Sequence, residues 1–289
     1  MEETAHTDHL PGFPAPVAPE GIALTDTDCT LHVGTSGYSY SEWLDSGFYP
    51  PDTHSANMLS RYSEHFGIIE LNYTWYQMPK APAMERMSLK VPRGFTFTAK
   101  LTRTLTHEVR PDQWQDQARE YHRGIAPLVA RDQLVAVLVQ LPPFFQRTRA
   151  NRVYLAALME ALAPLPLAVE FRHRSWACDR VFAELERRRA CLVAVDAPDL
   201  PDLFPPLSEI TSTDLFYIRF HGRNRAGWQS GRMQEQFDHD YSREELAQWQ
   251  ERILTEMAPK TQRGVAFFNN HVRGQAPANA QALITLLND

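Results

Sequence analysis

Cysteine is scarce in this chain of 289 residues, and Cys29, Cys178 and Cys191 form no CxxC pair. An odd, dispersed set builds neither a disulfide framework nor a cysteine zinc site, and it fits a reduced, cytoplasmic setting. No apolar run reaches the roughly 18 residues of a membrane-spanning helix. The acidic, proline-punctuated N-terminus also lacks the apolar core of a signal peptide, so no membrane partner is expected. GxGxxG, a Walker A loop and a GxSxG elbow are absent. Dinucleotide oxidoreduction, P-loop hydrolysis and α/β-hydrolase chemistry therefore have no support. Positive charge is in deficit: 29 Lys and Arg face 35 Asp and Glu, for a net charge of -6. That argues against an overall basic nucleic-acid surface and leaves room for a local basic pocket.

What is present is a succession of short hydrophobic runs that end in polar residues. They are Leu31 to Ser36, Ile68 to Asn72, Phe95 to Lys100, Leu134 to Gln140, Leu167 to Arg172, Leu192 to Asp196, Phe216 to His221 and Val265 to Asn270. Most are separated by stretches long enough for a helix, and such alternation predicts βα units around a parallel sheet. Eight runs predict an α/β fold of the TIM-type (β/α)8 barrel class, in one domain over residues 29–289. Residues 1–28 read as a flexible, irregular tail broken by Pro11, Pro14, Pro16 and Pro19. His6 and His9 in it read as solvated.

Helices are expected at Ser55 to Phe66, Gln113 to Val129, Asn151 to Leu162, Asp179 to Arg189, Ser242 to Met257 and Pro277 to Leu287. Ser242 with Glu245 makes a capping box, and Pro277 suits a first helical position. The proline-rich segment from Asp199 to Pro206 predicts an irregular sixth crossover.

The strand ends carry a family likeness. Gly34-Thr-Ser-Gly-Tyr-Ser-Tyr40 with Trp43, Glu70-Leu-Asn-Tyr-Thr-Trp-Tyr76, Lys100 with Thr106-His107, and Gln140-Leu-Pro-Pro-Phe144 resemble the DUF72 (YecE-like) family. So do Val169-Glu-Phe-Arg-His-Arg-Ser-Trp176, Val195-Asp-Ala-Pro198, Tyr217-Ile-Arg-Phe-His-Gly222 and Phe268-Asn-Asn-His271 with Gly274. The resemblance runs in the family's order from about residue 31 to the C-terminus. It implies a TIM barrel of unestablished biochemical activity, hence a fold and a site but no reaction. Tyr38 stands where the family often has Trp, and Tyr73-Thr-Trp75 replaces a small residue, Thr and Phe. Both changes keep an aromatic wall.

In a parallel barrel the C-terminal strand ends share one rim, where enzymes of this class place their sites. Glu70, Lys100, Glu170, Arg172, Asp196 and His221 are the candidate catalytic residues. Asn72, Tyr76, His107, Gln140, Trp176, Arg219, Asn269 and Asn270 are the candidate binding residues. Glu170 or Glu70 would serve as base, Arg172, Arg219 and Lys100 as stabilisers of an anion, and His221 as proton shuttle or ligand. An ion-pair lattice filling the barrel mouth is the plainer reading of the same charges. Arg223, Arg225 and Arg273 lie in the seventh and eighth loops, where barrels often hold phosphate. Tyr38, Tyr40, Trp43, Tyr73, Trp75, Tyr76, Trp176 and Trp228 add stacking surfaces suited to a nucleotide-like ligand, with nucleic acid as a further class.

Glu70, Glu170, Asp196 and His221 are the set that would hold a divalent metal, but each acid is offset by a nearby cation, and no cofactor is assigned. Lys100 offers Schiff-base chemistry, against the plainer reading of an ammonium salt-bridged to Glu70 or Glu170. The leading expectation is a hydrolase or lyase acting on a phosphate-bearing or nucleic-acid-derived substrate. A non-catalytic binding or scaffold protein sensing an anionic ligand is the alternative, because binding and catalysis need the same convergent polar groups.

Overall fold

The computed structural model describes residues 20–289. Nine strands form one sheet: β1 (Ile22–Ala23), β2 (Thr30–Thr35), β3 (Ile68–Leu71), β4 (Thr96–Lys100), β5 (Leu134–Gln140), β6 (Leu167–Glu170), β7 (Cys191–Asp196), β8 (Phe216–Phe220) and β9 (Arg263–Phe268). Their order is β1-β2-β9-β8-β7-β6-β5-β4-β3. Only β1 with β2 is antiparallel; the other pairings are parallel. β3, β6, β7 and β8 are buried at every position. Near-continuous apolar runs of this kind suit a parallel sheet covered on both faces.

The sheet is curled, and its hydrogen-bonded ladder is open between β2 and β3. There the backbone pairing is confined to the strand ends, through a bridge from Ser36 to Glu70 and a Gly37 N–H that donates to the Glu70 carbonyl at 2.9 Å. The ladder thus defines a half-barrel rather than the full eight-stranded closure that the sequence predicts. The Tyr62 hydroxyl stands between the two strands, accepting from the Thr35 N–H at 2.9 Å and donating to the Ile68 carbonyl at 3.1 Å, so it takes groups that a ladder would use. Gly34 is required at this junction, because a Cβ there would stand 2.5 Å from the Ile68 carbonyl oxygen.

The helices begin and end for local reasons. Residues Trp114–Ala130, Arg149–Leu162 and Asp179–Arg187 are helical, close to expectation. The Thr148 hydroxyl caps the second by accepting from the Asn151 N–H. Ser242 and Glu245 make the reciprocal capping box of helix Arg243–Arg252, whose continuation over Ile253–Met257 widens to π geometry. The helix expected at Ser55 to Phe66 is shorter, a 3-10 turn over Ser55–Asn57 followed by Met58–Tyr62. Pro277 is the third residue of helix Gln275–Asn288 rather than the first, since left-handed Gly274 turns the chain two residues earlier. A helix at Ala81–Ser88 went unpredicted; its Pro82 reads as punctuation but sits in the first turn, where no N–H is needed. Between β7 and β8 the described residues hold no helix, in keeping with the prolines there.

His6 and His9 lie outside the described residues. The last part of the expected tail belongs to the fold, with β1 paired to β2 and Leu24 buried. No helix of the described residues is long and apolar enough to cross a membrane.

Gly34→Ala is expected to destabilise the protein by about 1–3 kcal/mol, the usual cost of overpacking, because backbone rather than a flexible side chain blocks the new methyl. Chemical denaturation would read it. A variant as stable as wild type would show that the β2–β3 junction yields easily.

Candidate active site

Partners in a parallel ladder face the same side, and faces alternate along each strand. Glu70 pairs with Thr98, Lys100 with Leu138, Gln140 with Glu170, Val195 with Arg219, and Arg219 with Phe267. Continuing by twos brings Arg172, His221 and Asn269 to the same inner face at the C-terminal strand ends. Asp196 is one residue out of step: it pairs with Phe220 and looks outward.

At the centre of this face is the fully buried Arg219. Its Nε and Nη2 donate to the two oxygens of Glu70 at 2.9 and 2.6 Å, and its Nη1 donates to Glu170 at 2.6 Å. Nη2 also reaches the Ser36 hydroxyl at 3.3 Å. The Tyr217 hydroxyl donates to Glu70 Oε2 at 2.6 Å. On Glu170, Oε1 forms an ion pair with Arg172 Nε and lies 3.3 Å from His221 Nε2. Burial pushes the Glu170 carboxyl up, but Arg172, Arg219 and His221 together hold it well below the usual range. Burial opposes the charge on Arg219, and the two carboxylates more than restore it. His221 is fully buried beside Arg172, which takes its pKa down to about 3. It is therefore neutral, with Nδ1 3.1 Å from the Asn269 amide nitrogen and Nε2 3.1 Å from Arg172 Nη2.

Above this layer opens a cavity of about 910 Å³. Asn72, Tyr76, Lys100, His107, Gln140, Arg172, Arg219 and Asn269 all line it, with Tyr40, Trp75 and Trp228 as aromatic walls. Gln140 is held by donating to the Leu141 carbonyl at 2.9 Å. Arg172 lies 5.5 Å from the centre of the Trp228 ring. Lys100 differs from the other cations: among the described residues its Nζ has neither hydrogen bond nor ion pair, only the Trp75 ring at 5.0 Å. The expected salt bridge to Glu70 or Glu170 does not form, because guanidinium groups already occupy both acids. Burial, then Arg219, lowers the Lys100 pKa to about 7 against the pull of Glu170 and Glu70. His107, half-buried beside it, is taken down to about 4 by burial and by Lys100.

Other candidates lie apart. Asp196 accepts from Arg223 at 2.7 Å, from the Tyr241 hydroxyl at 2.7 Å and from Trp249 Nε1 at 2.6 Å, so it anchors the helix Arg243–Arg252 behind the sheet. Asn270 ties the His239 carbonyl to Asn279. Trp176 is sandwiched between Phe145 and Phe171 and donates to the Phe145 carbonyl, away from the cavity. Of the loop arginines, Arg223 pairs with Asp196 and Arg273 with Asp238. Trp43 is core, and Tyr38 and Tyr73 line a separate cavity. Sequence reasoning missed Tyr217, though it alternates with Arg219 and His221, and it missed Met233, Gln236 and Phe237, which reach the cavity from the loop after β8. The alternation could have found Tyr217. Nothing local marks the other three.

As metal ligands the acids fit poorly. Glu70 and Glu170 spend their oxygens on guanidinium groups and Tyr217, and Asp196 faces away. Among the described residues no group of three or more His, Cys, Asp and Glu is placed to hold an ion.

Fold and site together define a class: a single-domain α/β protein whose curled, mostly parallel sheet carries a polar cavity at the C-terminal ends of its strands. Within that class the chain belongs to the DUF72 family, whose model, described as a protein of unknown function, matches residues 32–289. It is 27% identical over 272 residues to the UPF0759 protein YunF of Bacillus subtilis (strain 168), covering 89% of this chain and 94% of that one. A DUF72 family protein from Thermotoga maritima MSB8 has a similar crystal structure, with TM-score 0.81 and 34% identity over 90% of this chain and 99% of the other. One from Enterococcus faecalis V583 gives TM-score 0.81 at 25% identity, over 90% and 96%.

Glu170→Gln leaves Arg172 and Arg219 short of their counter-charge and is expected to cost about 3 kcal/mol or more at neutral pH. Because the folded pKa of Glu170 is depressed, its contribution is full above the unfolded value of about 4.3 and is lost as pH falls below it. The gap between wild type and variant in thermal unfolding should thus narrow toward acid. A gap that is small at pH 7 would show that the guanidinium groups do not need this carboxylate.

Proposed function

We propose that this DUF72 protein is an enzyme of the hydrolase or lyase kind, acting on a small anionic, phosphate-bearing or nucleotide-like substrate in the rim cavity. In this reading the strands form a TIM-type barrel whose last joint is the Ser36–Glu70 bridge. The observation that carries the proposal is Lys100, an amine at a strand end that opens on the cavity without a counterion among the described residues. Burying an amine unpaired is costly, and the cost is offset if an anion completes the pair. Trp75, Trp228, Tyr40 and Tyr76 supply flat walls for a ring or sugar.

The roles differ from those the residue types alone suggest. Glu70 and Glu170 act as the clamp on Arg219, and Arg219 is spent on them. Anion recognition therefore falls to Lys100, with Arg172 at the cavity wall. Binding without turnover is the competing reading, favoured by one observation: both carboxylates are engaged, so neither is free as a general base.

Inorganic phosphate is expected to raise the Tm, by the equivalent of about 2.7 kcal/mol at a hundred times Kd. The affinity for sulfate, whose charge is constant over this range, should fall as pH rises through about 7, because the ammonium form binds the anion. Lys100→Met should remove the phosphate effect and raise the ligand-free Tm, since it replaces a buried amine with an apolar chain. A phosphate effect that persists in Lys100→Met would overturn the reading. A turnover screen with phosphoesters, nucleotides and short oligonucleotides then separates enzyme from sensor.

A further inference from the structure

We infer that Lys100 is a covalent site, whose amine forms an imine with a small aldehyde or ketone bearing an acidic or hydroxylated arm. The inference rests on the reading of Lys100 as the working group of the cavity and names the substrate class for it.

Lysine is rare in this chain. Only Lys80, Lys90, Lys100 and Lys260 occur, within a total of 29 Lys and Arg. The other three are exposed, whereas Lys100 is half-buried at the end of β4. Glu70 and Glu170, which would otherwise keep its ammonium form, are held by Arg219, Arg172 and Tyr217. Burial and the nearby Arg219 guanidinium bring the amine to about 7, so near neutral pH roughly half of it carries the lone pair that attacks a carbonyl carbon. An ordinary lysine, with a pKa of about 10.4, has almost none.

The surroundings supply the remaining parts. Trp75 touches both Lys100 and His107: its ring lies 5.0 Å from Nζ, and its Nε1–H donates to His107 Nδ1 at 3.4 Å. The same Nδ1 lies 2.8 Å from the Thr106 hydroxyl, and burial keeps the imidazole neutral near pH 7. Trp228 Nε1 and Asn72 Oδ1 are buried atoms of cavity-lining residues without a hydrogen-bond partner among the described residues. One is a donor and the other an acceptor, and a substrate arm with an acid oxygen and a hydroxyl would satisfy both.

The step balances without a redox partner. The Nζ lone pair forms a bond to the carbonyl carbon, the C=O π pair moves to oxygen, and that oxygen takes a proton while nitrogen gives one up. The carbinolamine hydroxyl then takes a second proton, with His107 placed to relay it, and leaves as water. The nitrogen lone pair forms the C=N bond. Amine, carbonyl and one proton become a protonated imine and water.

The test uses the intact protein with glyoxylate as probe and sodium cyanoborohydride as trap, read by intact mass and peptide mapping. The expected result at pH 7 is that, apart from the α-amine, the side-chain adduct is a carboxymethyl group on Lys100, formed at least about tenfold faster than on Lys80, Lys90 or Lys260. Its rate should rise through pH 7 and level off about one unit higher, opposite in sign to sulfate binding. Phosphate should protect the site. Labelling that spares Lys100 and spreads over the other three lysines, while Lys100→Met still abolishes the phosphate effect, would overturn the imine and leave the proposed function standing. A phosphate effect that survives Lys100→Met would instead remove the reading on which the imine rests.

Discussion

One guanidinium organises the inner end of this fold. Arg219, from β8, is bonded to Glu70 of β3 and Glu170 of β6, so three strands far apart in sequence meet through a single buried ion cluster. Charges taken out of water must be compensated at close range, and breaking one partner away strands the others. The cluster therefore works as a clamp across the curled sheet as much as a feature of the cavity floor. Tyr217 and Ser36 complete its hydrogen bonds, and the Ser36–Glu70 bridge sits at the same place.

The clamp determines the chemistry left over. Arg172 and Arg219 together balance Glu70 and Glu170, so the acids are satisfied before Lys100 is considered. The lysine is then left beside two guanidinium groups and an indole face, an environment that favours the neutral amine. His221 and His107 are kept neutral by the same burial and the same neighbouring positive charge. A floor of compensated charge beside a wall whose amine has no counterion among the described residues is a distribution that residue types do not disclose.

Strand ends were legible in the sequence because each hydrophobic run stops where the polar residues begin, and β5 spans the expected Leu134–Gln140. The capping box at Ser242 was legible because both halves of it lie within one turn. Asp196 and Asn270 separate two cases. Asn270 is one residue past the inward-facing Asn269, so the strand period alone sets it apart, whereas Asp196 faces outward because β7 pairs it with Phe220, a register that no local pattern shows. Trp176 is a different case: only the aromatic rings of Phe145 and Phe171 around it show that it is core.

By itself the sequence determined the alternation of strand and helix, the parallel sheet, the family and the collection of polar groups at one end, because these follow from periodicity and short-range motifs. Which opposite charges pair was decided only by tertiary structure. That choice depends on ladder register and side-chain reach between strands, with the partners of Arg219 lying 49 and 149 residues away, and desolvation rewards the one arrangement in which every buried charge is met. The unpaired Lys100 is the remainder of that pairing. No local pattern in the chain distinguishes it from a lysine held in a salt bridge.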